Sequence, residues 1–146
     1  MTPTGAHDGH DGDPAARAWC QMRELVLDHD RRREASRTVG LSFTRVKALL
    51  SLEDGPRSMS DLAAALDIDG PYATVVANDL AGRGLVDRQV DPGDRRARRV
   101  ALTRAGRLTA AQARAVLETP PPALRAVEPA RLERLANLLA ELLVDA

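Results

Sequence analysis

Aromatic side chains are almost absent: Trp19, Phe43 and Tyr72 are the only ones in 146 residues. Ala and Leu carry most of the apolar content, and β-branched residues are few. Ala and Leu are good helix formers, so the composition favours a mainly α fold. Cys20 is the only cysteine. An intrachain disulfide is therefore excluded, and a reducing cytoplasm is the expected setting. No apolar run approaches the ~20 residues that span a bilayer, so no membrane partner is expected. The N-terminus also lacks the basic-then-apolar order of a signal peptide.

An excess of one charge sign is missing too, since the formal net charge is zero. Binders of nucleic acid are often basic, so the balance weighs mildly against that class. The charge is unevenly spread, however. From Arg83 to Arg107 the chain holds Arg83, Arg88, Arg95, Arg96, Arg98, Arg99, Arg104 and Arg107 against Asp87, Asp91 and Asp94. A local basic patch within a neutral chain is what a small DNA-binding face requires. Elsewhere Lys47 is the only lysine, and the arginine bias by itself carries no function.

Catalytic signatures are lacking. There is no phosphate loop, nucleophile elbow or paired-carboxylate pattern. Two of the three histidines lie in the N-terminal tail. No enzyme, cofactor or metal is expected. His7, His10, Asp8, Asp11 and Asp13 could be read as metal ligands, but their Gly-rich setting offers no anchored geometry. Residues 1–14 read instead as a disordered tail with almost nothing to bury.

The remainder is periodic. Pro14 opens a helical stretch that runs to Gly40, apolar through Ala18, Trp19, Met22, Leu25 and Val26, then polar. Ser42 is the expected cap of a helix with Phe43, Val46, Leu49 and Leu50 on one face. Asp54, Gly55 and Pro56 end it. Ser60 is the expected cap of a short third helix, and Asp67, Ile68 and Asp69 form a tight turn. Asp69 caps a fourth helix, which Gly84 terminates. The period then changes to two. Leu85 to Val90 and Arg98 to Leu102 read as a two-stranded hairpin around the turn residues Asp91, Pro92, Gly93 and Asp94. Thr103 caps a fifth helix, which Pro120, Pro121 and Pro122 must end. A last helix, from about Pro129 to Val144, carries Leu132, Leu135, Leu138, Leu139, Leu142 and Leu143 as a broad stripe. No internal repeat is present.

Two short helices, a tight turn and a basic hairpin make a winged helix-turn-helix with a three-helix core. In the fourth helix Ala73, Val76, Ala77 and Leu80 form the packed face. Pro71, Tyr72, Thr74, Val75 and Asn78 lie opposite, free for a major groove. Pro71, Thr74 and Val75 suit thymine methyls, and Asn78 suits adenine. The loop from Asp91 to Ala97 would hold Arg95 and Arg96 away from the body, where a narrow minor groove concentrates negative potential. Arg83, Arg88 and Arg98 complete the candidate DNA-binding set. A solvated basic loop is the bland alternative.

The run "LAGRGLVDRQVDPGDRRARRVALTRAG", Leu80 to Gly106, resembles the wing of the MarR family of transcriptional regulators. "SMSDLAAALDID" is similar to that family's preceding helix and turn, and Thr74 falls on its recurrent recognition-helix threonine. The resemblance spans about residues 15–146, most strongly in the middle. It implies a homodimer built by the first and last helices, double-stranded DNA as partner, and Arg95 or Arg96 in the minor groove. It also implies that Asp94 steadies the wing by pairing with a nearby arginine, and that a small ligand binds between the dimerisation helices and the DNA-binding domain. The chain departs from the family at Val75, where arginine is usual; no Lys or Arg occurs from Gly70 to Gly82. The triple proline also falls where many relatives continue a helix.

The expected division is a tail at 1–14, an N-terminal dimerisation helix at 15–40, the winged domain at 41–103 and C-terminal dimerisation helices at 104–146. Leu135, Leu138, Leu139, Leu142 and Leu143 are the candidate dimer contacts; an intramolecular core face is the alternative. Trp19, Met22, Phe43 and Met59 are candidates for a cleft taking a small aromatic ligand, with a filled core as the other reading. Cys20 beside Trp19 reads as a small core residue rather than a redox sensor. The expected function is regulation of transcription, as a repressor at a palindromic operator. The alternative is a winged-helix protein-interaction module that does not bind DNA.

Overall fold

Most helices begin at a side chain that replaces a missing backbone partner. The computed structural model describes residues 12–144. Asp13 accepts the Ala15 N–H and Pro14 occupies the first turn of α1 (Pro14–Asp28). The expectation of a disordered tail therefore lies outside the described residues, except at its last three positions. So do the histidines and aspartates weighed above as metal ligands, apart from Asp13.

The stretch read as one helix to Gly40 is two. Asp30 accepts the Arg33 N–H at 3.0 Å and starts α2 (Arg31–Val39), so the chain turns at His29 and Asp30. An aspartate there satisfies an orphan donor of a new helix, which a continuous helix would not need. Gly40, at φ +69°, closes α2 in the left-handed conformation.

Next come α3 (Phe43–Ser51), β1 (Arg57–Ser58), α4 (Met59–Leu66) and α5 (Gly70–Gly82). The cap of α4 is Ser58, which accepts the Asp61 N–H at 3.0 Å, and not Ser60. Asp69 caps α5 through the Tyr72 N–H at 2.7 Å, as the sequence indicates. Then follow β2 (Val86–Asp91), β3 (Asp94–Leu102), α6 (Arg104–Leu117), α7 (Pro122–Arg125) and α8 (Pro129–Val144). Thr103 caps α6 through the Gly106 N–H. The helix ends before the prolines. One of them, Pro122, starts the unanticipated single turn α7, because proline is tolerated in a first turn.

The wing is three-stranded, in the antiparallel order β1-β3-β2. The two-residue strand β1, opposite Arg99 and Val100 of β3, is too short to show a period. The core lies under the wing's base, where Val46, Leu49, Leu62, Val76, Leu80 and Val100 are almost wholly buried. Each such side chain contributes about 1.5–3 kcal/mol relative to exposure. Ala35, Ala110 and Ala113 are equally buried on α2 and α6, the small residues letting these two helices pack closely. The result is a mainly α winged helix-turn-helix with helices added at both ends.

Those added helices differ from the rest. Neither α1 nor α8 buries a residue. Among the described residues, no helix is long and apolar enough to cross a membrane.

Candidate nucleic-acid interface

Helix α5 has the two faces expected of it. Ala73, Val76, Ala77 and Leu80 are at most 1 % exposed. Pro71, Tyr72, Thr74, Val75 and Asn78 are exposed, and residues 71, 74, 75 and 78 lie in one stripe. The Thr74 hydroxyl donates to the Gly70 carbonyl at 3.1 Å, so towards a ligand it can only accept.

A carboxylate missed in the sequence fixes this helix. Asp79 accepts from Arg45 Nε of α3 at 2.6 Å and from Arg83 Nε at 2.9 Å. Arg45, then Arg83, holds the Asp79 carboxyl below the ordinary carboxylate value. The spacing of Asp79 and Arg83 was legible as a helical pair. Arg45 lies 34 residues away, and nothing local announces it. Arg83, expected on DNA, is thus engaged within α5, with half of its side chain exposed.

Asn78 is engaged as well. Its Oδ1 accepts from Arg88 Nη2, which ties the outer face of α5 to β2. Arginine has no acceptor, so the amide must turn its oxygen toward Arg88 and its NH2 away. The free bidentate amide expected at Asn78 is therefore half occupied.

At the wing the strands continue almost to the tip. Arg95 and Arg96 belong to β3, not to a loop, and both are exposed. Up to the register shift between Val90 and Asp91, alternation along the ribbon puts Arg98 on the face shared by Arg88, Val86 and Val100 and Arg99 on the other; Arg95 and Arg96 lie beyond that shift, beside the turn. Asp94 accepts the backbone N–H of Arg96 at 2.9 Å, so it steadies the turn through the main chain. The arginine pair expected of Asp94 belongs to Asp91, whose Oδ2 accepts from Arg99 Nε at 2.9 Å. Asp91 also accepts the Gly93 N–H at 2.8 Å. That N–H first, and Arg99 next among the partners, lowers the Asp91 carboxyl below its ordinary range. A carboxylate two residues before the turn glycine reaches its N–H directly, which Asp94 cannot do. Among the described residues, Arg88, Arg95, Arg96 and Arg98 join no ion pair.

Trp19, Met22, Phe43 and Met59, expected to line a ligand cleft, line neither of two grooves in the structure. Trp19 is 65 % exposed on α1. Phe43 and Met59 pack against the core instead, and the Arg32 guanidinium lies 5.3 Å from the centre of the Phe43 ring. Two grooves occur elsewhere. One of about 720 Å³ is lined by Leu25, Val26, His29, Arg31, Leu117 and Leu124, among others. Arg31 Nε is buried without a partner, although its Nη1 pairs with Glu34 at 2.6 Å. The other groove, about 500 Å³, lies between α7 and α8 and includes Leu124, Leu132, Leu135 and Leu139. On the open side of α8, Leu138, Leu142 and Leu143 are 55 %, 55 % and 78 % exposed.

Comparison with known proteins places this geometry. The model of the MarR family matches residues 39–97. Wild-type MarR from E. coli in its apo form shares the fold at a TM-score of 0.70 and 20% identity, over 90% of this chain and 98% of that one. The transcriptional regulator BldR from Sulfolobus solfataricus aligns at a TM-score of 0.64 and 25% identity, over 92% and 97%. The transcriptional repressor CouR, solved on a 23-mer DNA duplex, aligns at 0.61 and 27%, over 90% of each chain. Among curated proteins nothing matches the sequence.

Proposed function

We infer that the protein is a MarR-family repressor of transcription that binds a palindromic operator as a homodimer; the family's model matches residues 39–97. The observation that carries the reading is the shared outer side of α5 and the wing. There the exposed stripe Pro71, Thr74, Val75 and Asn78 meets the wing through Arg88, and the exposed wing cations Arg88, Arg95, Arg96 and Arg98 join no ion pair among the described residues. A helix face without charge reads base edges, and cations on a neighbouring ribbon hold phosphates, so the two parts divide specificity from affinity. CouR, of the same fold, is a repressor solved on duplex DNA.

Dimerisation is supported by α1 and α8. None of their described residues is fully buried within the chain, and a second copy would cover their exposed apolar side chains. Two copies related by a two-fold axis require two half-sites, about one helical turn apart. Release by a small ligand belongs to the same reading. The groove lined by Leu25, Val26, Leu117 and Leu124, with Arg31 and Arg32 in its wall, suits an aromatic carboxylate.

The test is an anisotropy titration of the full chain against duplexes tiled across the promoter beside its own gene, between about 50 and 200 mM salt. One duplex should bind saturably and lose affinity steeply with salt, and an aromatic carboxylate should release it. Flat titrations on every duplex would overturn the reading and favour a protein-interaction module, which the cation-free helix from Gly70 to Gly82 and the zero net charge would also fit.

A further inference from the structure

We propose that Arg88, from the wing strand β2, and Asn78, from α5, act together as one guanine-reading unit in the major groove. The inference rests on the operator-binding reading above and adds which base is read and by what. An asparagine alone reads adenine, because its oxygen accepts from N6 and its NH2 donates to N7. In this chain the oxygen is occupied by Arg88. What the pair presents outward is the Asn78 NH2 and the remaining N–H groups of the Arg88 guanidinium, all donors. A donor-only surface repels the exocyclic amine of adenine or cytosine. Two adjacent acceptors, O6 and N7, occur in the major groove only on guanine.

The placement supports this chemistry. Asn78 lies on the same exposed stripe as Pro71, Thr74 and Val75. Arg88 is exposed, joins no ion pair among the described residues, and stands opposite the buried Val100 at the base of the ribbon. The helix itself supplies no cation from Gly70 to Gly82. A guanidinium delivered from the wing's base provides the group that α5 lacks.

The test is operator selection from a randomised duplex pool by the full-length wild type, Arg88→Ala and Asn78→Ala, with thermal melts to verify folding. The base pair facing the unit is the one whose preference Asn78→Ala abolishes. The wild type should prefer guanine there by about tenfold or more. Arg88→Ala frees the Asn78 oxygen, and the preference should move to adenine. Both variants should retain salt-dependent binding to non-cognate duplex. Three results would overturn the proposal while leaving DNA binding intact: adenine selected by the wild type, a guanine preference that survives Arg88→Ala, or no position affected by Asn78→Ala. No duplex binding at all by the wild type would remove the operator reading and this proposal together.

Discussion

Gly106, in the first turn of α6, lies directly against the backbone of Leu85. A Cβ added at Gly106 would stand 1.9 Å from the Leu85 carbonyl oxygen and 2.9 Å from its carbonyl carbon. The same carbonyl accepts the Thr103 N–H at 3.1 Å, and the Thr103 hydroxyl donates to the Gly84 carbonyl at 2.6 Å. The end of the wing and the start of α6 are thus clamped to the turn that follows α5.

Gly106→Ala should therefore destabilise the protein. In an open helix this change adds about 0.5–1 kcal/mol of stability by restricting the backbone. Here the new methyl meets backbone atoms that cannot rotate away, and overpacking of that kind costs about 3 kcal/mol. The steric loss exceeds the propensity gain, so the melting temperature should fall by roughly 10 °C. An unchanged or higher melting temperature in calorimetry would show that the clamp yields.

Asp79 links stability to acid. Its carboxyl is lowered in the folded state by Arg45 and Arg83, so the folded protein binds this proton less readily than the unfolded chain. The stabilisation is fully present above the unfolded value, near pH 4, and is lost as pH falls through the lower folded value. Relative to Asp79→Asn, the wild type should hold a constant advantage from about pH 5 to 7 that narrows below about pH 4. Thermal melts across that range check the sign; an advantage that grows on acidification would contradict it.

Charge among the exposed leucines of α8, on its groove side or its open side, should separate the proposed dimer. Leu139 and Leu142 are 36 % and 55 % exposed in the single chain. In Leu139→Asp or Leu142→Asp each dimer would bury two unpaired carboxylates, at several kcal/mol apiece. The dissociation constant should rise by more than about 100-fold. Sedimentation velocity at micromolar concentration should find a monomer, and an undisturbed dimer in both variants would assign the interface elsewhere.

The wing arginines should act on affinity without regard to sequence. Arg96→Ala should weaken specific and non-specific duplexes alike and reduce the salt slope by about one per subunit. No such change is expected at Arg99, because Asp91 already neutralises its charge. Arg99→Ala should leave the slope within about half a unit of wild type. Equal slopes for Arg96→Ala and wild type would place Arg96 in solvent.

Much of this was decided locally and was legible in the sequence. Asp69 and Thr103 cap their helices because a side-chain oxygen reaches N–H groups two or three residues ahead, whatever surrounds it. Ala73, Val76, Ala77 and Leu80 recur at the helical period, and their burial follows from it. Tertiary structure decided the pairings between distant residues. Arg45 meets Asp79 only when α3 crosses α5, and Arg88 meets Asn78 only when β2 folds back beside that helix. Competition among nearby acceptors chose Asp91 over Asp94 for Arg99, and Ser58 over Ser60 for α4. Capping and periodicity act over a few residues along the chain, so sequence alone determines them. A side chain with several partners in reach is settled by geometry that exists only once the chain has folded.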